Sequence, residues 1–432
     1  MAQSTMFRSL RHRSARLFFL GLSISQVGTW MQLTGMSLLV YRSTGRAADV
    51  GMTLLCQFLP MLVLGAWAGA VADRVRKQRM ALVTQSLQAV QAISIGVLTL
   101  AGLASLPVIY VMSFLLGVIA ALDNPARRGF VIELVAPEDI SNVVSLNTAV
   151  MTGSRIFGPA IAALLIGPLG PGGLFIINGL SFAAILIPIA RIDESSLHVS
   201  PPAPRGGTPV RDALRYIGHA PRLLTIFVVF TVVGTFSFNY NVSLLKLADQ
   251  RFGSRTLFGW LLASNSVGSL VGSLATAARQ RVSTTWFFTA AVVMGLAGIC
   301  VAWSPSIWVA FVFSLPLGAG GAAFIASLNA ISQHDSPPDM RGRLLALGAV
   351  AFLGTTPIGA PITGWVADHI SAEWSLAYGS VVALVATAMG AMVMARSQRA
   401  DVPADQDETA TVYVDHADGG SFVVEGGAGG GG

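Results

Sequence analysis

The residue with the clearest chemical implication is an arginine inside an apolar run. Arg155 falls near the middle of the run 143–166, where a charge is unfavourable by several kcal/mol unless it faces a cavity or a partner. Steps of about 100° per residue place Asn147, Ser154 and Gly158 on one helix face, with Arg155 at its edge. We therefore predict that Arg155 lines a cavity and binds substrate or modulates coupling. A structural arginine, paired with helix-end carbonyls or with a neighbouring acid, remains the alternative.

Other polar and aromatic residues inside apolar runs outline a substrate cavity. Aromatic walls with a few amides suit a large amphipathic organic ligand better than a phosphate or a bare ion. For each of these residues, a hydrogen bond to a neighbouring helix is an equally common explanation. The cavity candidates, besides Asn147 and Arg155, are Gln26, Trp30, Asn239, Tyr240, Asn265 and Asn329.

The sequence offers no catalytic or metal-binding constellation. The six histidines fall in tails, in the central linker or at loop edges, so no metal site and no nucleophile with a base is predicted. Cys56 and Cys300 both lie inside apolar runs, and no nucleotide-binding P-loop is present. We therefore expect no cofactor, no metal and no enzymatic activity. The alternative to this expectation is a membrane enzyme or sensor on a transporter-like scaffold.

The elements that position these residues are membrane helices. Hydrophobic residues make up 53% of the chain and charged residues only 11%, against about 25% charged in soluble proteins. A span needs about 20 apolar residues, and the sequence predicts an all-α membrane protein of twelve transmembrane helices in a lipid bilayer. The net charge of +6 is spread in short clusters between the apolar runs, which argues against a nucleic-acid partner. The predicted spans are 17–41, 50–72, 80–103, 107–122, 143–166, 173–190, 223–245, 257–278, 285–303, 307–331, 344–367 and 374–395.

Lysine and arginine positions predict the orientation. With the N-terminus in the cytosol, 21 of the 27 cations fall on the inner side and one, Arg155, falls within a span. This positive-inside bias predicts that both termini are cytosolic in the inner membrane of a bacterium. The basic N-terminal segment is then a cytosolic tail and not a signal peptide. The five cations on the outer side are Arg42, Arg46, Lys246, Arg251 and Arg255.

An internal repeat predicts two related halves. A shift of 201 residues places Pro137 on Pro338 and Gly158 on Gly359, and a shift of 203 places Gly69 on Gly272. A period that spans an even number of helices gives parallel, pseudo-symmetric six-helix halves with a central cavity between them. The predicted organisation is an N-terminal half with its tail (1–190), a cytosolic linker rich in proline and glycine (191–222), a C-terminal half (223–396) and a disordered acidic and glycine-rich tail (397–432).

The loop after the second span carries a recognisable signature. Its residues from Gly69 to Lys77 resemble the loop motif of the major facilitator superfamily, matching at Gly69, Asp73, Arg74 and Lys77, with Arg76 in place of a glycine. A glycine there lets two helices approach closely, and the carboxylate can accept hydrogen bonds from a neighbouring helix N-terminus and from loop cations. The resemblance implies a cytosolic latch between the halves in the outward-open state. Generic positive-inside charge is the alternative.

Asp123, at the predicted end of helix 4, belongs to the same expectation. In the family a carboxylate at this place often joins the charge relay of the loop, so the resemblance implies a set of Asp73, Lys77 and Asp123. The alternative is an interfacial helix end followed by Pro125.

Helix 5 resembles the antiporter motif of the same superfamily. The matching residues are Gly158 and Pro159, whereas Ser154, Ala162 and Ala163 replace glycines. Small residues allow close helix packing and proline bends a helix, so a packing seam of any transporter is the competing interpretation. No acidic residue is clearly in mid-membrane; Asp123 and Asp368 come closest and are expected at interfaces. An obvious proton carrier is therefore missing.

A narrower resemblance covers residues 15–396. The segments Gln26–Gln32, Asp123–Arg127, Asn178–Phe182 and Met340–Arg343 are similar to the enterobactin-exporter-like branch, which includes macrolide and multidrug efflux proteins. The resemblance implies export, by alternating access, of a siderophore-like or drug-like amphipathic molecule. We expect a monomer, with the proton as coupling ion. An importer or facilitator of a small organic solute remains open.

Overall fold

The structure is a computed structural model that describes residues 10–11, 13–72, 74–198, 209–353 and 355–400. Within these residues the chain is helical and contains no strand. The helices are α1 (Arg13–Thr44), α2 (Ala47–Ala72), α3 (Lys77–Leu100), α4 (Leu106–Glu133), α5 (Ile140–Ser181), α6 (Ala183–Arg191), α7 (Pro209–Gly218), α8 (Pro221–Ser237), α9 (Tyr240–Gln250), α10 (Leu257–Ala277), α11 (Thr284–Ala302), α12 (Ile307–His334), α13 (Pro338–Leu353), α14 (Thr356–His369) and α15 (Ala372–Ala400).

Ten helical stretches in the described chain are long and apolar enough to cross a membrane. One of them, Asn142–Arg191, has 50 residues and bends at Gly170, whose φ of 64° is left-handed and suits glycine. That length allows two crossings, and α1, with 32 residues, is long enough for one more. The helices therefore accommodate the twelve crossings expected from the sequence. Their outer faces carry exposed apolar residues, such as Val63 and Trp308, as lipid contact requires.

The helix boundaries differ from the predicted ones in three ways. The predicted spans 223–245 and 344–367 are each broken into two helices, α8–α9 and α13–α14. The predicted linker contains a helix, α7, whose Ala213 and Ile217 are buried while Asp212 pairs with Arg343 of α13. Helix 4 does not end at residue 122, since α4 runs to Glu133. Its polar continuation stays helical because Asp123 and Arg127, one turn apart, pair and are both buried.

The helices form two groups, α1–α6 and α8–α15, that meet along two seams. In the first group α1 packs on α5 and α2 on α4; in the second, α10 packs on α12 and α8 on α15. The seams join α2 to α14 and α5 to α10. The internal repeat is visible in the packing: Gly158 brings α5 against α1, and its counterpart Gly359 brings α14 against α8. A Cβ at either glycine would collide with the facing helix.

Two ends of the bundle can be distinguished. We call the linker end the one that carries α7, the start of α5 and the end of α12. We call the far end the one that carries the end of α1, the start of α2 and the end of α14. Each helix of α1–α4 runs between these two ends.

Candidate functional site: a central cavity closed at one end

A cavity of about 770 Å³ lies between the two helix groups. It extends from Trp30 and Arg155 in the middle of the bundle to Arg279 and His334 at the linker end. Drug-sized ligands occupy pockets of roughly 300–1,000 Å³, so the volume suits one such molecule.

Hydroxyl side chains follow two helices along the cavity wall. On α5 they recur at helical spacing up to Arg155, and all three are exposed to the cavity: Ser145, Thr148 and Thr152. On α10 they recur in the same manner: Ser266, Ser269, Ser273 and Thr276. Spacings of three and four residues keep each set on one helix face. The wall therefore combines a polar track on each helix group with aromatic side chains, as an amphipathic ligand requires.

Arg155 contacts both helix groups at the end of the cavity that lies in the middle of the bundle. Its Cζ lies 5.0 Å from the ring centroid of Trp30 in α1 and 4.8 Å from that of Phe352 in α13. Both distances lie within the range of cation–π attraction, which is strongest when the cation is desolvated. No carboxylate of the described residues forms an ion pair with Arg155. Arg155 thus lies on the cavity wall, and no acid of the described chain pairs with it.

The breaks in two helices open onto the same cavity. Asn239, Tyr240 and Asn241 line the wall where α8 ends and α9 begins, and Thr356 lines it where α14 begins. The Asn239 Nδ2 atom donates to the Thr235 carbonyl at 2.9 Å and so satisfies an acceptor that the break leaves open. Irregular backbone at membrane depth is tolerated where it lines such a cavity.

Two polar atoms on the wall have no partner among the described residues. They are the Tyr240 hydroxyl and the Asn265 Nδ2, both buried, and Asn265 is only 8% exposed. A buried donor without a partner is costly, and both atoms lie beneath the surface of the cavity wall.

Six of the eight cavity candidates line the wall, and two do not. Trp30, Arg155, Asn239, Tyr240, Asn265 and Asn329 are lining residues. Gln26 is buried at 6% exposure away from the wall. Asn147 also lies off the wall, because the cavity face of α5 is the Ser145–Thr148–Thr152 face. The face shared by Asn147, Ser154 and Gly158 turns towards neighbouring helices instead.

Sequence reasoning missed Phe352 and the two hydroxyl tracks. The tracks were detectable, since serine and threonine recur every three or four residues on α5 and α10. No local signal marks Phe352, because its partner Arg155 is far away in the chain and in the other helix group.

The antiporter-like segment of α5 forms packing seams. The Ser154 hydroxyl donates to the Val150 carbonyl of its own helix at 2.8 Å, and Gly158 abuts Trp30 and Met31 of α1. Ala163 packs against Gly259 of α10 across the groups. Pro159 lines the cavity. Small residues here give close packing on two sides, and of Ser154, Gly158 and Pro159 only Pro159 lies on the wall.

The structure describes only some residues of the predicted cytosolic latch. Asp73 lies outside the described residues, and Arg74 is exposed. Lys77 donates to Glu133 at 2.9 Å, and Glu133 is only 6% exposed. The aliphatic stem of Lys77 covers Gly129. The partner of Lys77 is thus Glu133 of α4, a residue that the sequence reasoning did not consider.

Asp123 has a different environment from the predicted one. Its carboxylate accepts hydrogen bonds of 2.8 Å from Thr84 and from Gln85 of α3, and one of 3.1 Å from Arg127. It lies buried between α3 and α4, and Lys77 is not among its partners. At Gly69 no described residue lies within 4 Å of a Cβ built there, so no close helix approach is seen at this glycine.

The far end is closed by contacts between the helix groups, which we call the far-end clasp: Tyr41, Lys246, Asp249, Arg255 and Asp368. The Asp368 carboxylate accepts the backbone N–H groups of Ala47 and Ala48, at 3.0 and 2.8 Å. Lys246 donates to the same carboxylate at 2.7 Å. The Tyr41 hydroxyl donates to Asp249 at 2.8 Å.

Helix packing reinforces the clasp. Gly51 of α2 abuts Ala360 of α14, and Gly364 of α14 abuts Ala47 and Ala48 of α2. At the linker end of α2, a Cβ at Gly65 or Gly69 would meet no described atom within 4 Å. The two groups therefore touch at the far end and diverge towards the linker end.

Two bundles of helices around a central cavity define a transporter of the major facilitator type. The chain resembles the solved structure of a bacterial homologue of the human lysosomal transporter Spinster, with a TM-score of 0.69 and 14% identity over 89% of this chain and 97% of that one. It also resembles a bacterial homologue of the iron transporter ferroportin, with a TM-score of 0.67 and 17% identity over 89% of this chain and 98% of that one. At these identities the likeness concerns the fold.

The family model for transmembrane secretion effectors matches residues 4–423, and the chain belongs to this family of the major facilitator superfamily. Among relatives, the multidrug efflux pump Tap of Mycolicibacterium fortuitum is 26% identical over 359 residues, 79% of this chain and 86% of Tap. An MFS-type transporter of Bacillus subtilis (strain 168) is 24% identical over 82% of this chain and 85% of its own length. The staphyloferrin A transporter of Staphylococcus aureus (strain NCTC 8325 / PS 47) is 23% identical over 60% and 66%. The chain is thus a membrane transporter and not an enzyme.

Proposed function

We propose that the protein is a secondary-active exporter of an amphipathic organic molecule, working as a monomer by alternating access in the bacterial inner membrane. The observation that carries the proposal is the asymmetry of the central cavity. Its wall reaches the linker end, whereas Asp368 and Lys246 hold the far end closed. One chain builds the whole cavity, so a single subunit is sufficient for the cycle.

In this proposal the linker end faces the cytosol. The support is the positive-inside bias, because 21 of the 27 cations then lie inside. The structure would accordingly be inward-facing, ready to take up substrate from the cytosol. Trp303 and Trp374, whose rings pack together at the opposite end, suit the outer membrane interface.

The two ends of α2 support alternating access. Gly51 is already used in the far-end seam with α14, while Gly65 and Gly69 face open space. Rocking of the second group against the first would separate Gly51 from its neighbour and bring a helix onto Gly65 and Gly69. Asp73 would then latch the linker end, as expected from the loop signature. Such rocking of one helix bundle against the other is the usual route to alternating access.

The substrate class follows from the cavity and from the relatives. About 770 Å³ of space with aromatic and hydroxyl walls suits a drug-like or siderophore-like molecule. The names of the relatives include a multidrug efflux pump, a macrolide efflux protein and a staphyloferrin A transporter. Import of a small organic solute is the alternative, since the direction of flux depends on the driving force and not on the fold.

The proton is the coupling ion in this proposal. Asp123 is buried and pairs with Arg127, and Asp368 pairs with Lys246. Opening of the far end would take the Ala47 and Ala48 N–H donors away from Asp368, and a carboxylate that loses hydrogen-bond donors binds a proton more readily. Proton uptake by Asp368 would then favour the conformation in which the far end is open.

Flux in proteoliposomes tests the proposal. The purified chain is reconstituted and its flux of a macrolide, a multidrug-pump dye and a carboxylate siderophore is followed with and without an imposed proton gradient. We expect flux of at least one compound that depends on the gradient and is lost in Asp368→Asn. Flux that is indifferent to the gradient would contradict proton coupling, and no flux of any compound would contradict export.

A further inference from the structure

We infer that the substrate carries an anionic group, best a carboxylate, and that the cavity excludes lipophilic cations. This inference deepens the proposed function and rests on the cavity being the substrate site. It follows from the charges of the cavity wall. The described lining residues include Arg155, Arg279 and His334 but no aspartate or glutamate.

An uncompensated cation in a cavity attracts anions strongly. Opposite charges attract several times more strongly near a protein surface than in bulk water, and a buried charge without a partner is costly. Arg155 is such a cation, since no described carboxylate pairs with it. Arg279, at the mouth, has its Cζ 3.6 Å from the Trp286 ring centroid and adds a second positive charge near the entrance.

The contacts of Arg155 leave its hydrogen-bonding capacity available. The guanidinium lies over the rings of Trp30 and Phe352, and cation–π contact engages its face, not its N–H groups. No hydrogen bond from these N–H groups to a described residue accompanies the two ring contacts. A planar guanidinium whose N–H edge is free can donate two parallel hydrogen bonds to one carboxylate. The two rings then offer an apolar surface to the body of the same ligand.

Helix dipoles at the cavity wall also favour an anionic ligand. The breaks place the N-terminal turns of α9 and α14 at the wall, at Tyr240 and Thr356. A helix N-terminus carries partial positive charge and favours anions, and broken transporter helices present this end to anionic substrate groups. A cationic ligand would meet like charges and no counter-ion.

Three dansyl probes of similar size, whose end groups differ in charge, test the inference. Dansylglycine is an anion at pH 7, dansylglycinamide is neutral and dansylethylenediamine is a cation. Each is titrated by fluorescence against the protein in phosphatidylcholine nanodiscs, so that no anionic lipid competes, with empty nanodiscs as the background. We expect the carboxylate to bind about tenfold more tightly than the amide and the amine to bind most weakly. Equal binding of all three, tighter binding of the amine, or no binding of any probe would overturn the inference.

Substitutions test whether Arg155 causes the preference for a carboxylate. Arg155→Gln should abolish the advantage of the carboxylate over the amide, and Arg155→Lys should retain part of it. Arg222→Gln is the control, since Arg222 pairs with Asp335 outside the cavity, and it should leave the order of affinities unchanged. A carboxylate preference that survives in a monodisperse Arg155→Gln protein would also overturn the inference.

The outcomes separate the inference from the proposed function. Gradient-dependent flux of a cationic macrolide, with no carboxylate preference in binding, would overturn the inference and leave export standing. Carboxylate-selective binding without flux of any compound would support the inference and count against export.

Discussion

The Asp368 carboxylate accepts the backbone N–H of Ala48 at 2.8 Å, although 320 residues separate the two in the chain. It thereby caps the first turn of α2, whose N–H groups have no acceptor within their own helix. Lys246 neutralises the same carboxylate. A bond to a charged group contributes about 1.5–3 kcal/mol, so this cap is a major element of the far-end closure.

Loss of the Asp368 charge should open the far end. Asp368→Asn leaves Lys246 buried without a counter-charge, and breaking a buried pair in this manner costs about 3–5 kcal/mol. We expect Val50→Cys, buried at 1% exposure, to react with an impermeant maleimide at least about tenfold faster in Asp368→Asn, since 1.4 kcal/mol already gives a factor of ten. Cys56 and Cys300 are first replaced by serine.

The matched control for this experiment is Glu373→Gln. Glu373 pairs with Arg251 at the same end, but the pair is about one quarter exposed and both residues belong to the second helix group. Labelling of Val50→Cys should not change in this variant. An equal rise in both variants would show that charge loss at the far end loosens the protein generally.

The two ends of α2 should respond oppositely to a larger side chain. Gly51→Leu would collide with Ala360, and overpacking costs about 1–3 kcal/mol, so the melting temperature should fall. Gly69→Leu enters open space in this structure and should leave the melting temperature unchanged while transport falls, because the linker end could no longer close. Normal flux in Gly69→Leu would contradict the proposed rocking of the second helix group onto that end.

Loss of the Asp73 carboxylate, in the loop after α2, should change the balance of conformations more than the stability of the fold. Asp73→Asn should leave expression and melting temperature close to those of the parent while greatly reducing transport, because it removes the outward-open latch and shifts the balance of conformers. Glu133→Gln, which leaves Lys77 without its partner, should in contrast lower the melting temperature. Equal transport by Asp73→Asn and the parent at matched membrane levels would remove the latch from the mechanism.

Arg155 should be required for transport and not for stability. Arg155→Ala removes a cation that lacks an acidic partner, so the protein should still purify as a monodisperse species while flux is abolished. Arg155→Lys keeps the charge without the planar fork and should restore flux in part. A structural role would give the opposite phenotype, with lower yield and melting temperature and unchanged flux per molecule. Both quantities are measured on the same preparations.

Cysteine labelling of intact cells tests the orientation. Arg46 and Arg191 are both exposed, the first at the start of α2 and the second at the end of α6. In the background without native cysteines, Arg46→Cys should react with an impermeant reagent and Arg191→Cys should react only after lysis. Ala47 is unsuitable, since it is buried under Asp368. The reverse pattern would invert the proposed direction of the cavity.

The all-helical, membrane-spanning character of the chain was predictable from the sequence because it follows from local composition. A bilayer requires about 20 apolar residues per span, and the repeat that aligns Gly158 with Gly359 indicated two related groups. The depth of Arg155 was readable for the same reason, as its apolar flanks define the span. The bias of lysine and arginine gives an orientation that remains a prediction.

Partners across the fold were decided only by the tertiary structure. Lys77 pairs with Glu133 and not with Asp123, since α4 continues for more than two turns beyond Asp123 and carries Glu133 to the loop. Asn147 and Gln26 lie away from the cavity because helix rotation within a bundle is set by packing on several neighbours at once. The breaks at Asn239 and Thr355 are equally invisible in hydropathy, which continues across them.

Composition and periodicity thus determined that this chain spans the membrane, in about how many helices, and that one arginine lies deep within them. Which side chains face the cavity, which end is closed, and that Asp368 caps a helix 320 residues away depend on how two bundles dock. Docking is a property of whole surfaces, whose contacts are summed over many residues far apart in sequence. No local pattern contains that sum, and for this reason only the assembled structure shows it.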